Sequence, residues 1–415
     1  MHLFTSRFVA LPEHVVELPG SVSTPEGFLA AGVAAGLKKS GKTDLGLLVC
    51  KDACTSATLF TTNAAAAAPV IVSRDETAPG AIQGVVVNSG SANACTGGRG
   101  LEDAQKMAEL AAAACGIGIE NMAVASTGVI GRVLPMDAVL SGISSVAGDL
   151  AAFGGGDFAE AIRTTDKIDK DGAVEVQLSG GTVRIGACAK GAGMIAPSMA
   201  TMLAFLTTDA AVSASLLQIL LVRAVEVSFN SMTVDGDMST NDCIFVLASG
   251  KSGVAVEEGS SDAQLFGEAL SAVCKGLALK MVADGEGATK VVELNVVGAA
   301  SATEAAAVSR AISNSTLVRT AFYGRDANWG RIMASAGAAL AGEPELLADI
   351  HYEEVCLARN GAPCPETAGK DRLKEIMGQS EISVTLDLNR GEASHTMYFS
   401  DLTHDYVTLN AEYTT

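Results

Sequence analysis

The chain has 415 residues, of which 48% are hydrophobic and only 4% aromatic, and it contains 44 glycines. This composition is typical of a compact α/β enzyme with a large core, and it excludes a disordered chain. The net charge of −19 and the lack of any basic stripe argue against a nucleic-acid-binding protein. Length alone suggests two or three domains.

The histidines and cysteines give no spacing typical of a metal site, because no Cys-x-x-Cys pair occurs among nine cysteines. We therefore expect no bound metal. An odd number of cysteines in apolar or small-residue segments is typical of reduced thiols and favours the cytoplasm. Pro12 and Pro19 interrupt the N-terminus before an apolar run develops, so no secretion signal is expected. No apolar stretch approaches the roughly 18 residues that a membrane helix needs.

In the first half of the chain, apolar runs that end in glycine-rich turns alternate with helical patterns. Buried strands are predicted at residues 45–50, 84–90 and 122–131, and two strands with a turn at 179–181 are predicted over 173–189. Helices are predicted from Leu101 to a glycine end at Gly116, and from Pro135 at a first-turn position.

The second half repeats this mixture. Helices are predicted at residues 212–229 and 261–282 and from about Asn328, and an exposed loop at 361–372. Strands are predicted from the apolar runs at residues 201–208, 243–250, 290–297, 316–324, 382–389, 394–401 and 406–413. The alternation predicts an α/β or α+β protein with layered sheets and helices.

Residues 189–210 are the most unusual segment, because glycines, a lysine and a proline precede an apolar run that begins with Thr201. One interpretation is a dinucleotide-binding loop, since residues 191–196 fit Gly-x-Gly-x-x-Ala. Pro197 and the early Asp209 leave no room for the helix and strand that this loop requires. A second interpretation is a structural connection between two buried strands.

A third interpretation is an N-terminal nucleophile. A threonine hydroxyl needs a base to accept its proton. A chain break between Ala200 and Thr201 would supply that base, because a free α-amine has a pKa of roughly 7.7–8.0. None of the histidines is placed for a serine–histidine–acid triad, and a threonine with its own amine is a known alternative. The residues alone leave the second and third interpretations open.

A resemblance to a known family favours the third interpretation, the N-terminal nucleophile. The segment KGAGMIAPSMATMLAFLTTDA resembles the self-cleavage segment of the glutamate N-acetyltransferase / ornithine acetyltransferase family. Further blocks resemble that family in the same order along nearly the whole chain: TPEGFLAAGVAAGLKKSGKTDLGLLVC, VNSGSANACTG, ASTGVIGR, TVDGDMSTND, ADGEGATK, YGRDANWGRI and LNAEYTT. The resemblance implies a layered α+β sandwich with an N-terminal-nucleophile-like, self-processing fold. It also implies an α chain of residues 1–200 and a β chain of residues 201–415, assembled as two α and two β chains.

The resemblance assigns roles to single residues. It implies that Thr201 is the nucleophile, released by cleavage after Ala200, and that Thr127 and Gly128 form the oxyanion hole. The substrate contacts that it implies are Thr164, Lys190, Thr201, Glu286, Asn410 and Thr415. Without the resemblance, Thr127 and Gly128 would be an ordinary turn, Lys190 a solvated lysine and Glu286 a turn residue. The chain departs from the family at Lys167, where members often carry threonine.

The activity that the resemblance implies is acetyl transfer from N-acetylornithine to glutamate through acetyl-Thr201, in the cyclic route of arginine biosynthesis. Some members also accept acetyl-CoA as a donor, and no metal or organic cofactor is implied. Two alternatives come from other classes of protein. One is a related self-processing aminopeptidase or amidohydrolase, and the other is a catalytically silent binding protein.

Overall fold

A computed structural model describes residues 2–196, 202–364 and 370–412. Its strands are β1 Val15–Leu18, β2 Phe28–Val33, β3 Leu45–Cys50, β4 Thr55–Phe60, β5 Gly84–Ser91, β6 Met122–Val129, β7 Lys170–Leu178, β8 Gly181–Lys190, β9 Leu203–Thr208, β10 Ala211–Val212, β11 Met232–Thr233, β12 Cys243–Ala248, β13 Ala255–Val256, β14 Val291–Ala299, β15 Asp349–Tyr352, β16 Val355–Arg359, β17 Ala362–Pro363, β18 Glu381–Asp387 and β19 Ala393–Ser400.

The helices are α1 Ala68–Asp75, α2 Gly97–Cys115, α3 Met136–Gly148, α4 Gly155–Ala161, α5 Ala214–Glu226, α6 Ser261–Ala283, α7 Ala302–Ser313, α8 Thr316–Tyr323, α9 Trp329–Ala339, α10 Lys370–Gly378 and α11 His404–Glu412. Short 3₁₀ turns lie at Ile119–Asn121 and Phe229–Ser231.

Two central sheets carry the first part of the fold. A six-stranded sheet has the order β1-β7-β8-β9-β12-β4, and a four-stranded sheet has the order β2-β3-β5-β6. In the larger sheet, β9 pairs antiparallel with β8 and parallel with β12. In the smaller sheet, β5 and β6 run parallel, and Gly90 pairs with Gly128 one residue before each strand ends. The ends of these strands place the polar residues described below.

The side chains of β9 show why these sheets form layers. Leu203 and Phe205 pack into a core shared with the four-stranded sheet, whereas Ala204 and Leu206 pack into a core shared with α5 and α6. Successive side chains of a strand point to opposite faces, so a strand buried on both faces needs an unbroken apolar run. Helices α2 and α3 cover the outer face of the smaller sheet. The result is a helix–sheet–sheet–helix sandwich.

The later part of the chain builds a second layered unit. A seven-stranded sheet has the order β11-β19-β14-β18-β15-β16-β17. Strand β14 lies between β18, which is parallel to it, and β19, which is antiparallel. Helices α7, α8 and α9 share one apolar cluster with this sheet.

The predicted layered α/β class is confirmed, and the sandwich agrees with the fold that the resemblance implied. The first-half strands and the long helices are also confirmed, with small shifts in their ends: α2 begins at Gly97 rather than Leu101, and Pro135 caps α3 rather than opening it. The predicted loop at 361–372 contains β17 and the start of α10. Across the described ranges, no helix is both long and apolar enough to span a bilayer.

Two strand predictions are wrong. Residues 316–324 form helix α8, and residues 406–412 lie in helix α11. Their valines, threonines and aromatic residues favour strands, but a hydroxyl before each segment starts a helix instead. The Ser315 hydroxyl accepts a hydrogen bond from the Val318 amide at 3.4 Å, and the Thr403 hydroxyl accepts one from the Tyr406 amide at 3.2 Å.

The core between the two central sheets generates a stability prediction. Phe245 is fully buried there, with its ring 5.8 Å from those of Phe205 and Phe60. We expect Phe245→Ala to lower the free energy of unfolding by about 3–5 kcal/mol, because it removes these contacts and leaves a cavity. Urea unfolding followed by circular dichroism measures the change. The control is Val222→Ala on the exposed face of α5, which should change stability by less than about 0.5 kcal/mol.

Candidate active site

A cavity of about 440 Å³ opens where the ends of β6 and β8 meet the loop at 235–241 and helix α11. This size suits a small-molecule substrate. Six residues that the sequence predicted for the site line the cavity together: Thr127, Gly128, Thr164, Lys190, Glu286 and Asn410. They come from five separate segments of the chain, so their convergence is a property of the fold.

The end of β6, where Thr127 and Gly128 face the cavity, requires glycine at position 128. Gly128 has φ of +131°, and a Cβ atom there would lie 2.5 Å from the carbonyl carbon of Gly90 on the neighbouring strand. The Thr127 hydroxyl accepts a hydrogen bond from Lys190 Nζ at 3.1 Å. Within the described part of the chain this hydroxyl donates no hydrogen bond, so its own proton is available to a ligand in the cavity.

Lys190, the last residue of β8, is buried rather than solvated. Burial lowers the pKa of its ammonium group, and the negative charge of Asp166 opposes this shift. A buried cation in contact with Thr127 is suited to an anionic or polarised substrate group, because charge interactions are stronger away from water.

A buried ion-pair network fixes the loops around Lys190. Lys170 Nζ lies 2.7 Å from a carboxylate oxygen of Asp166 and 2.6 Å from one of Asp284. Asp166 also accepts hydrogen bonds from the amides of Gly191 at 2.7 Å and Thr164 at 3.0 Å. One carboxylate therefore holds both the residue after Lys190 and the Thr164 loop.

The pKa of Asp166 reports the same network. Burial alone would raise this pKa, but the charges of Lys170 and Lys190 and the hydrogen bonds from Lys170 and Gly191 hold it well below its usual range. Asp284 accepts further hydrogen bonds from the amides at 167 and 168. Lys167, the position where the chain departs from the family pattern, therefore contributes its backbone amide to this network.

Glu286 and Asn410 form the opposite wall. Asn410 Nδ2 donates to Glu286 Oε2 at 2.9 Å, which ties helix α11 to the loop after α6. The Glu286 amide donates to the Ala192 carbonyl at 2.8 Å. A Cβ atom at Gly193 would lie 2.6 Å from Glu286 Oε2, so a side chain at position 193 would displace the Glu286 carboxylate.

Ala200, Thr201 and Thr415 lie outside the described residues, so their roles stay predictions. The residues on either side of 197–201 are held by hydrogen bonds to two aspartates of the segment 235–242. Asp235 accepts hydrogen bonds from the Met194 and Ile195 amides at 2.6 and 2.8 Å. Asp242, which is buried, accepts one from the Met202 amide at 2.8 Å. Burial raises the pKa of Asp242 well above the usual value.

A metal site is not evident in the part of the chain that the structure describes, since no three His, Cys, Asp or Glu side chains are grouped to hold an ion. The described residues around the cavity offer a buried ammonium group, hydroxyls, backbone donors and carboxylates.

Comparison with known proteins identifies the family. Its sequence profile, described as the ArgJ family, matches residues 29–415. The chain belongs to the ArgJ family. It is 47% identical to the arginine biosynthesis bifunctional protein ArgJ of Symbiobacterium thermophilum, over 96% of this chain and 99% of that one. Its identity with the ArgJ protein of Chlorobaculum tepidum is 45%, over 96% and 99% of the two chains.

A solved structure is also similar to this ArgJ-family chain. Ornithine acetyltransferase from Mycobacterium tuberculosis, complexed with ornithine, is 40% identical, with a TM-score of 0.41. The match covers 44% of this chain and 98% of that chain.

Sequence reasoning missed several buried residues of the site, among them Asp166, Lys170 and Asp242. A lysine four positions after an aspartate, in DKIDK, was a signal for the first two, although this spacing is common on solvated surfaces. For Asp242 the signal was an acid placed directly before a fully apolar strand. Neither pattern shows which charges the fold removes from water.

The Asp166 network predicts a pH-dependent loss of stability. Because the pKa of Asp166 is lower in the folded than in the unfolded protein, its ionised form stabilises the fold above the unfolded pKa of about 3.9. That contribution is lost as pH falls below this value. We expect Asp166→Asn to lower the free energy of unfolding by about 3 kcal/mol at pH 7, since it leaves part of the Lys170 charge unpaired.

Urea unfolding at pH 7 and at pH 3.5 measures the difference between Asp166→Asn and the unmodified protein, which should shrink at the lower pH. The control is Asp149→Asn, an exposed aspartate after α3, for which the difference should stay within about 0.5 kcal/mol at both pH values. A difference that grows on acidification would contradict the assigned charge of Asp166.

Proposed function

We propose that this chain transfers an acetyl group from N-acetylornithine to glutamate through an ester on Thr201, as a cytoplasmic step of arginine biosynthesis. One observation carries the proposal: the cavity gathers Thr127, Gly128 and Lys190 from before the 200–201 bond with Glu286 and Asn410 from after it. Relatives named as arginine biosynthesis bifunctional proteins, and an ornithine acetyltransferase that binds ornithine, support this choice of substrates.

The proposal begins with self-cleavage. The Thr201 hydroxyl attacks the Ala200 carbonyl, the peptide C–N bond breaks and an ester forms, which water then hydrolyses. The products are an α chain of residues 1–200 that ends in a carboxylate and a β chain of residues 201–415 that begins with a free amine. We propose that two copies of each chain assemble together.

In the first transfer, the α-amine of Thr201 takes the proton of its own hydroxyl, and the oxygen attacks the acetyl carbonyl of N-acetylornithine. Thr127 and Gly128 would hold the oxyanion, for which the Thr127 hydroxyl has an available proton. The C–N bond then breaks, and the departing ornithine amine takes the proton back from the Thr201 ammonium group. The acetyl group remains as an ester of Thr201.

In the second transfer, the amine of glutamate attacks this ester. The glutamate nitrogen forms a C–N bond to the acetyl carbon and gives up one proton to the Thr201 amine. The C–O bond to Thr201 breaks, the Thr201 oxygen takes that proton from the ammonium group, and N-acetylglutamate leaves. Lys190 would support both halves, because its buried charge lies against Thr127 and attracts the carboxylate of either substrate. Acetyl-CoA is a proposed second donor for the same ester, and the proposal needs no metal or organic cofactor.

The role of Thr201 gives a direct prediction. We expect the purified protein to separate, under denaturing conditions, into two fragments that end at Ala200 and begin at Thr201. Thr201→Ala should remain one chain of 42.1 kDa and should form no N-acetylglutamate, because it has no hydroxyl to attack a carbonyl. Mass spectrometry with N-terminal sequencing, and chromatography of the products from N-acetylornithine and glutamate, measure both effects.

The matched control is Thr201→Ser, which keeps the hydroxyl and should keep cleavage and measurable transfer. Equal amounts of ornithine and N-acetylglutamate support transfer. Free acetate in place of N-acetylglutamate would instead indicate the aminopeptidase-like hydrolase. A chain that neither cleaves nor turns over either substrate would indicate a binding protein.

The oxyanion role of Thr127 gives a kinetic prediction. Thr127→Ala should lower kcat by about 10²–10³ with little change in KM, since the lost donor stabilises charge that develops only in the transition state. Thr127→Ser restores the hydroxyl and should recover most of the rate. Both variants are assayed on the cleaved fraction, so that slower self-processing does not enter kcat. A change confined to KM would contradict the oxyanion role.

A further inference from the structure

Two of the nine cysteines lie against each other at one edge of the seven-stranded sheet. Cys356 belongs to β16, and Cys364 directly follows β17, the two-residue strand that forms this edge in the described part of the chain. Their Sγ atoms are 2.8 Å apart. A disulfide bond is about 2.0 Å long, so less than about 1 Å of movement separates this contact from a covalent bond.

The backbone of the β16–β17 hairpin also suits a disulfide. The two strands pair antiparallel, and the Cys364 amide donates a hydrogen bond to the Leu357 carbonyl at 3.0 Å. Cys364 therefore lies opposite the residue that follows Cys356. Paired strands lie about 4.7–4.9 Å apart and one residue along a strand adds about 3.4 Å, so this offset places the two Cα atoms within the roughly 4.4–6.8 Å that disulfides span. The bond would form without displacing either strand.

Both cysteines are within reach of a dissolved reagent, because Cys356 and Cys364 are only half-buried. Four other cysteines are fully buried: Cys50, Cys188, Cys243 and Cys274. Cys50 also has a neighbouring thiol, that of Cys54, but the burial of Cys50 shields this second pair. Exposure is one of the two factors that decide whether a thiol reacts. Across the described ranges, Cys356 and Cys364 are the neighbouring cysteines that are both partly exposed.

The surroundings of Cys356 direct its thiol and place a positive charge beside it. Cys356 Sγ donates to the Ala358 carbonyl at 3.4 Å, so its lone pairs can accept a hydrogen bond from the Cys364 thiol. Burial, and then the Cys364 thiol, raise the pKa of Cys356, whereas the charge and the hydrogen bond of Arg359 act in the opposite direction. A cation therefore lies next to a sulfur that must ionise before it can attack a disulfide.

We infer that Cys356 and Cys364 form a redox-active dithiol site, which a low-molecular-weight disulfide such as oxidised glutathione converts reversibly into a disulfide bond. Strand β17 is held by only two pairs of residues, and the bond would tie this sheet edge to β16 covalently. In a reducing compartment such a bond forms transiently, when the pool of small thiols becomes oxidised. The inference concerns the sheet edge and does not depend on the proposed acetyl transfer.

The reaction proceeds by two thiol–disulfide exchanges. The thiolate of one cysteine attacks a sulfur of the small disulfide, a new S–S bond forms, the old S–S bond breaks, and one small thiol leaves with a proton. The thiolate of the second cysteine then attacks the sulfur of the first, and the second small thiol leaves with a proton. The two cysteines together lose two hydrogens and two electrons, which the small disulfide gains.

Peptide mapping after treatment with oxidised glutathione tests the inference. Trypsin cuts after lysine and arginine, so Cys356 and Cys364 fall on different peptides, residues 332–359 and 360–370, each with a single cysteine. We expect the folded protein, after oxidation, acid quenching and alkylation, to give these peptides as one linked species that is two hydrogens lighter than the separate pair. Dithiothreitol should return both peptides with free thiols.

Single variants separate a dithiol from two unrelated thiols. Cys356→Ser and Cys364→Ser each leave one thiol without a neighbour that could displace glutathione. Each variant should therefore retain glutathione as a mixed disulfide at least about tenfold more than the unmodified protein does. The control is Cys115→Ser, which removes a half-buried thiol elsewhere and should leave the linked peptides unchanged. Circular dichroism verifies that every variant is folded.

Three results would overturn the inference. The first is glutathione that stays on Cys356 or Cys364 of the unmodified protein without linked peptides, and the second is no reaction at either cysteine. The third is a link between two molecules, which denaturing mass spectrometry without reductant distinguishes from a bond within one. All of these readouts are independent of acetyl transfer, so they stand or fall separately from the proposed function.

Discussion

The Lys170 ammonium group, buried between Asp166 and Asp284, is the interaction on which the site depends. Removing three charges from water is costly, and only close pairing with further hydrogen bonds offsets that cost. Here the extra bonds come from backbone amides of the loops that carry Thr164 and follow Lys190. The network therefore specifies where loops from distant parts of the chain must lie. A hydrophobic replacement could fill the same volume, but it could not bind those amides.

A second constraint is the burial of Lys190 at the wall of the cavity. Among the residues that the structure describes, the Lys190 ammonium group makes no direct ion pair and interacts with the charge of Asp166 at a distance, while it donates a hydrogen bond to Thr127. A cation in this position acts on a ligand without first releasing a partner, so little reorganisation is needed when charge develops. Gly128 also helps to position the site, because its lack of a side chain lets the ends of two parallel strands lie close together beside the cavity.

Much of the fold could be predicted from local sequence. Unbroken apolar runs predicted β9 and β12, because a strand that is buried on both faces is apolar throughout. Helical periodicity predicted α5 and α6, because a helix that is buried on one face has apolar residues at regular spacing. The helices α8 and α11 could not be predicted that way, because their residues favour strands and only the capping hydroxyls of Ser315 and Thr403 mark their starts. For the site, ordered motifs predicted Thr127, Lys190 and the other residues around the cavity. Local patterns could not show that Lys170 and Asp284, 114 positions apart, would meet in the interior.

The topology of the six-stranded sheet has a consequence for the refolding of the protein after cleavage. Strands β1, β4, β7 and β8 precede position 200, whereas β9 and β12 follow it, and β9 pairs with β8 along the whole length of β9. A break between them leaves the sheet intact, so the two pieces would stay interleaved as one folding unit. Once such a molecule is denatured, however, the connection that held its halves at high effective concentration is gone. Its return to the native state would then depend on two chains meeting, and would become more difficult on dilution.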